Sequence, residues 1–132
     1  MLLGILCGGL AALNAPAATF TDDNWISMGG IPGANGEVYF GSSDGGLVAV
    51  KSGGISGWNF RSGDVVFSSP AVIDDGSIIV GSLNHQVLSF APDGSCNWLF
   101  RTEGGVESSP AVGRDGAVYF GCMDGNIYAL DA

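Results

Sequence analysis

The sequence predicts an all-β protein made of repeated antiparallel sheets, and three observations carry that expectation. Its 132 residues include 23 glycines interleaved with Val, Ile, Phe and Tyr, a composition of short strands and tight turns rather than helices. The stretch "SSPAVIDDGSIIVGS" (Ser68–Ser82) returns forty positions later as "SSPAVGRDGAVYFGC" (Ser108–Cys122). Trp58 and Trp98, Phe60 and Phe100, and Arg61 and Arg101 keep the same step of forty, as do Gly36, Gly76 and Gly116, without insertion or deletion.

Each period reads as four strands. The first is "SPAV", Ser69–Val72 and again Ser109–Val112. Pro70 and Pro110 suit the start of an innermost strand, because proline donates no N–H to a ladder. A glycine turn follows at Asp74-Asp75-Gly76 and at Arg114-Asp115-Gly116. The second strand, "SIIVG" or "AVYFG", is apolar on both faces, as a strand covered on both sides requires. Asp44-Gly45 and Asp124-Gly125 supply the positive-φ chemistry of a hairpin. The third strand is "LVAV", "VLSF" or "IYAL", and a glycine-bearing link leads to the fourth, "WNFR" or "WLFR". In that strand Trp and Phe fall at i and i+2, on one face. Four antiparallel strands in about forty residues is the period of a propeller blade. The expected architecture is a partial β-propeller of about three four-stranded antiparallel blades, not closed by one chain. Trp58, Phe60, Trp98 and Phe100 are the expected blade-docking residues, each burying an aromatic ring against the next blade.

The string W-x-F-R followed by S-S-P-A-V-x-x-D-G-x-V-Y-F-G-x-x-D-G-x-I-Y-A-L-D-A resembles the pyrroloquinoline-quinone-type (PQQ-like) propeller repeat. The resemblance runs from about Glu37 to Ala132, the repeat region, whose last blade ends before a fourth strand. The family's link before the Trp typically reads A-x-D-x-x-T-G-x-x-x-W. Here it reads "AVKSGGISGW" and "SFAPDGSCNW", with Lys51 and Ala91 in place of the Asp and no Thr-Gly.

Residues 19–36 form a degenerate start of a blade, with Met28-Gly29-Gly30 where the other copies have Ser-Ser-Pro and with Trp25 out of register. Residues 1–18 read as a secretory signal peptide: an apolar run from Leu2 to Leu13, then the small-residue pattern Ala15-Pro16-Ala17-Ala18. No basic residue precedes the run, so a truncated start is the alternative, and the run is too short and glycine-interrupted to span a membrane. Cys96 and Cys122 are either two small thiols or, in an exported protein, a disulfide pair. The expected location is outside the plasma membrane: periplasmic, cell-surface or secreted.

Net charge is −9, with Lys+Arg 4, which disfavours nucleic acid and acidic membrane surfaces as partners. Ligands of propellers sit near the central channel, on the face carrying the links from fourth to first strand and the hairpins between second and third. That places Asp64, Glu103, Glu107, Asp44, Asp124 and His85 on a candidate channel-face rim. His85, beside Asn84 at a hairpin tip, reads as a solvated turn residue with no partner to make it a base. Ser68 and Ser69 recur forty positions on as Ser108 and Ser109, and that periodicity argues for a structural role rather than a nucleophile. Asp44 and Asp124 lack the spacing of a calcium loop and read as turn residues. Arg61 and Arg101 read as cations guarding an outer strand edge.

No catalytic residue, cofactor or metal ligand is assigned. The expected function is a non-catalytic exported scaffold that binds a protein partner or a small ligand, within a larger propeller, with self-association through exposed blade faces a further route. Two other readings stand beside it. One, implied by the resemblance, is a fragment of a PQQ-dependent quinoprotein dehydrogenase, which would need a channel Trp, an adjacent disulfide and a calcium-bound Asp. The other is a carbohydrate-binding surface module.

Overall fold

The computed structural model of the chain describes residues 29–43, 45–51 and 56–131, and all regular structure among them is β-strand. The first sheet runs β1 (Gly30–Pro32), β2 (Val38–Gly41), β3 (Gly46–Val50) and β4 (Ser56–Arg61). The second runs β5 (Ala71–Val72), β6 (Ile78–Ser82), β7 (Gln86–Phe90) and β8 (Cys96–Arg101). The third has β9 (Ala111–Val112), β10 (Val118–Gly121) and β11 (Ile127–Leu130). Each sheet is an antiparallel meander, and the three together are a partial β-propeller. Residues 1–18, the expected export signal, and Trp25 lie outside the described residues.

The register repeats with the sequence. Ile31 pairs with Tyr39, Ala71 with Ile79 and Ala111 with Tyr119. Trp58 lies opposite Ala49, and Trp98 opposite Ser89, so a small residue stands across from each indole. Immediately after those pairs the register slips in both blades, leaving Gly57 and Asn97 as the extra residues of matching bulges.

The innermost strands are shorter than the expected Ser69–Val72 and Ser109–Val112, pairing only through Ala71–Val72 and Ala111–Val112. Pro70 has no N–H to give, and the Ser69 N–H is taken up elsewhere, by Ser109 Oγ of the next blade at 2.9 Å. Of the two readings of the cysteines, the structure shows separate thiols. Cys96 is exposed on β8 and Cys122 is half-buried after β10, both as free thiols.

Two apolar layers hold the sheets together. Between the first and second, Tyr39, Leu47 and Ala49 meet Val66, Ile78, Val80, Leu88 and Phe90. Between the second and third, Ile79, Val87 and Val106 meet Val118 and Phe120. Alternation along β6 explains both: Ile78 and Val80 face one neighbour and Ile79 the other, so the strand is buried throughout. Trp58 bridges the first layer, with its ring 5.8 Å from Tyr39 and 5.9 Å from Phe90, and its Nε1–H donates to the Pro92 carbonyl at 2.9 Å. Phe60 lies 4.6 Å from Phe90, centroid to centroid. In the second layer Phe100 contacts Phe120 and Tyr128, which stack on each other at 5.2 Å. Trp98 packs in the same layer.

Two glycines owe their place in the repeat to the neighbouring blade. A Cβ at Gly81 would stand 2.5 Å from Val106 Cγ1, and one at Gly41 would stand 2.9 Å from Val66 Cγ1 and 2.7 Å from the Ser68 carbonyl. At Gly121, with the same strand position, the nearest atom is Ser108 Oγ at 3.7 Å.

Gly81→Ala should therefore lower stability by about 1–3 kcal/mol through overpacking. Gly121→Ala should be neutral or raise stability by about 0.5–1 kcal/mol through reduced chain entropy. Urea midpoints of the two variants against the parent check the contrast; equal effects would show that the glycines do not mark the inter-blade contact. Trp58→Ala should lower stability by about 3–5 kcal/mol in the same measurement.

Candidate functional site

The links between blades build one face of the protein. Each begins with a hydroxyl residue that closes on its own hairpin: the Ser62 N–H donates to the Gly45 carbonyl at 2.6 Å, and the Thr102 N–H to the His85 carbonyl at 3.0 Å. Further along, Val66 N–H donates to the Ser42 carbonyl at 3.2 Å and Val106 N–H to that of Ser82 at 3.0 Å. The following hairpin then binds the same link from the other side, Leu83 N–H to the Val65 carbonyl at 3.0 Å and Met123 N–H to that of Gly105 at 2.9 Å. Every link is thus held between two successive hairpins by backbone bonds.

The repeated serines finish this frame. Ser68 Oγ donates to the Gly81 carbonyl at 3.0 Å and accepts from the Gly81 N–H at 2.8 Å. Ser108 does the same with Gly121, at 2.9 and 2.8 Å. These hydroxyls clamp the start of an inner strand to the strand beside it. Their recurrence has that cause.

On this frame the candidate rim residues divide. Asp64 is exposed in the first described link, with Oδ1 accepting the Val65 N–H at 2.7 Å, and its backbone rests against Gly45. Glu103 and Glu107 are exposed in the second link. Asp124 joins Glu103: it accepts the Tyr128 hydroxyl at 2.6 Å and the Asn126 N–H at 2.9 Å, and the Glu103 backbone N–H also reaches it. The Tyr128 hydrogen bond, more than the others, holds the Asp124 carboxyl below its ordinary range, and the same bond raises the Tyr128 hydroxyl. His85 is exposed at the tip of the middle hairpin, whose carbonyl takes the Thr102 N–H. Asp44 lies outside the described residues. The structure therefore places His85, Glu103, Glu107 and Asp124 on or beside the second link and leaves Asp64 at the first.

His85 has φ 65, the left-handed conformation that Gly45 and Gly125 adopt, at φ 89, in the flanking hairpins. Sequence reasoning saw the hairpin tip but not that the imidazole occupies a glycine position. A comparison of the three copies at a step of forty would have found it. Asn84, where the other copies have Asp44 and Asp124, donates through Nδ2 to the Ser62 carbonyl at 2.7 Å, while its buried Oδ1 has no partner among the described residues.

Sequence reasoning also missed a polar cluster at the opposite end of the first blade. Glu37 is buried, with Oε2 accepting Asn35 Nδ2 at 3.0 Å and the Tyr39 hydroxyl at 3.3 Å, and Oε1 lies 3.7 Å from Lys51 Nζ. Burial, chiefly, raises the Tyr39 hydroxyl. A cleft of about 220 Å³ opens beside the cluster, lined by Asn35, Tyr39, Asp74, Asp75 and Pro92 among others. The signal was present: Glu37 stands where the other copies have Ser77 and Ala117.

No protein-family model and no curated protein matches this sequence. Solved structures do. The chain is similar to the WD40 β-propeller domain of Doa1 (16% identity, TM-score 0.64, 72% of this chain and 33% of that one). It is similar to BBS1N in its complex with ARL6DN (14% identity, TM-score 0.66, 78% of this chain and 33% of that one). It is also similar to streptogramin B lyase (16% identity, TM-score 0.65, 87% of this chain and 43% of that one). At these identities the likeness is one of fold. The chain spans about a third of the length of the first two and 43% of the third.

Two outcomes follow from the hairpins. His85→Gly should raise stability by about 0.5 kcal/mol, the balance of left-handed strain of roughly 1–2 kcal/mol for a side-chain-bearing residue and roughly 0.5–1 kcal/mol of extra glycine entropy. A lower thermal midpoint would contradict the strain. For Asp124 the folded-state pKa lies below the unfolded one, so its contribution is complete above the ordinary carboxylate range and fades as pH falls through the folded value. Tyr128→Phe should therefore raise the Asp124 titration midpoint in carboxyl NMR. It should also destabilise the protein at neutral pH more than in strong acid, and a pH-independent difference would contradict the linkage.

Proposed function

We propose that this chain is a non-catalytic protein-interaction scaffold of PQQ-like repeat type, exported from the cell and forming one part of a larger propeller. The observation that carries the reading is the loop face. Its links are fixed by backbone bonds to the hairpins on both sides, and they present Asp64, Glu103 and Glu107 to solvent. A preorganised acidic face on a chain of net charge −9 favours a partner with a basic surface, since charge complementarity speeds and orients association. The complex of BBS1N with ARL6DN supplies a precedent of similar fold bound to another protein. The PQQ-like assignment rests on the repeat string, and export rests on residues 1–18, which lie outside the described residues.

The likeness to a lyase favours keeping an enzymatic reading in the test. Addition of PQQ and calcium to the purified chain should give no stoichiometric bound-cofactor absorbance. Saturable uptake would overturn the scaffold in favour of a quinoprotein dehydrogenase, and a glycan-array hit abolished by changes in the link loops would overturn it in favour of a carbohydrate module. Capture from an extracytoplasmic fraction should retain a stoichiometric protein. The triple variant Asp64→Lys, Glu103→Lys, Glu107→Lys should lose it at least tenfold at unchanged thermal midpoint. Equal retention by the variant would place the partner elsewhere.

A further inference from the structure

The three copies share one turn between their first and second strands. Gly33, Ile73 and Gly113 donate N–H to the carbonyl four residues on, at 2.9, 3.0 and 2.8 Å. Their own carbonyls accept from Gly36, Gly76 and Gly116, at 3.2, 2.9 and 3.0 Å. The residue before each of these glycines is Asn35, Asp75 or Asp115, and its Oδ1 accepts the N–H two residues on, at 3.1, 2.8 and 3.2 Å. An aspartate therefore serves this turn in two copies, and the first copy alone uses the amide.

That amide has a second task. With Oδ1 turned to the backbone, Asn35 Nδ2 donates to the buried Glu37 carboxylate at 3.0 Å and to the Tyr39 hydroxyl at 2.9 Å. The other copies have Ser77 and Ala117 in place of Glu37. An acid at residue 35 would set two carboxylates within hydrogen-bond distance with no proton between them, a strongly unfavourable pairing at neutral pH. Asn35 is also the sequence's one asparagine followed by glycine. Gly36 has no side chain to shield its nitrogen, nothing lies within 4 Å of where its Cβ would stand, and both residues are exposed.

We propose that Asn35 is a modification site, where spontaneous deamidation replaces a hydrogen-bond donor with a carboxylate facing buried Glu37 and so unpins the first hairpin. The Gly36 backbone nitrogen attacks Asn35 Cγ. An N–Cγ bond forms, the Cγ–Nδ2 bond breaks, and Nδ2 leaves as ammonia with the Gly36 N–H proton. Water, the one co-reactant, then opens the five-membered imide. Cleavage at Cγ leaves aspartate; cleavage at the Asn35 carbonyl carbon leaves isoaspartate, with one more carbon in the main chain. Aspartate repels Glu37, and isoaspartate also disturbs the pairing of Pro32 with Val38. The folded turn slows the first step, because Gly33 holds the Gly36 N–H while Glu37 and Tyr39 hold the side-chain amide. Reaction therefore proceeds through local opening of the hairpin. The site is at the opposite end of the blade from the link loops and is independent of what they bind.

The test incubates the intact chain at mildly alkaline pH, in buffer and in concentrated urea, and follows amide-to-acid conversion at each asparagine by peptide mass spectrometry. In urea Asn35 should convert faster than every other asparagine, and in buffer it should convert about tenfold more slowly than in urea. Asn35→Asp should lower the thermal midpoint by roughly 4–8 °C at neutral pH. The loss should shrink below the ordinary carboxylate range, where a shared proton removes the repulsion; the surrounding ionisable groups are Glu37, Tyr39 and Lys51, with Asp74 and Asp75 across the cleft. In a Glu37→Ser background the same change should be neutral, since Asp75 is accommodated beside Ser77 in the second copy. Failure of Asn35→Asp to fold, with folding restored by adding Glu37→Ser, would also support the coupling. Equal rates in buffer and urea, or conversion at Asn35 no faster than elsewhere, overturns the proposal. So does an Asn35→Asp midpoint equal to the parent's, or a loss just as large in the Glu37→Ser background.

Discussion

The contact on which the rest depends is the seating of Trp58 on the next blade. The indole lies between Tyr39 of its own sheet and Phe90 of the neighbour, and its N–H is satisfied by the Pro92 carbonyl. A Cβ at Gly94 would stand 2.7 Å from the indole, so glycine there serves both the turn, at φ 89, and the close approach of the ring. A single four-stranded sheet has two apolar faces and buries neither alone; neighbours must supply the cover. The docking Trp is the large, partly polar side chain that makes such cover specific. Its apolar body fills the layer and its N–H fixes the registry.

That contact sets the spacing of everything on the loop face. Once two sheets are stacked, the link between them has to cross from an outer strand to an inner one, and its polar backbone needs partners. The hairpins on either side provide them, with the Ser68 and Ser108 clamps closing the far end. The hydroxyls of Ser68 and Ser108 are therefore occupied in holding the frame. What remains for recognition is the set of residues that the repeat leaves variable, Asp64, Glu103 and Glu107, carried on a rigid support. Preorganisation of this kind lowers the entropic cost of binding.

The third blade acts as an internal control for the packing argument. The same strand positions that are buried in the first two sheets are open in the third, and the glycine that is crowded at residue 81 has room at residue 121. Burial in this fold is therefore a property of the pair of neighbouring sheets rather than of the strand.

The amino-acid sequence by itself determined the blade. Runs apolar on both faces in "SIIVG" and "AVYFG", glycine turns at residues 76 and 116, and Trp and Phe two apart on the fourth strand are local patterns repeated at a fixed step. The rim at Asp64, Glu103 and Glu107 was legible as loop residues for the same reason. Tertiary structure decided what depends on which residues meet across blades. It shortened the inner strands by taking the Ser69 N–H to Ser109, left Cys96 and Cys122 as separate thiols, tied Asp124 to Tyr128, and buried Glu37 beside Tyr39. It also placed His85 in a glycine conformation, because hairpin geometry is imposed by the two strands and the residue at the tip has to comply. None of these follows from periodicity, which describes what the copies share and is silent on the single residues by which they differ.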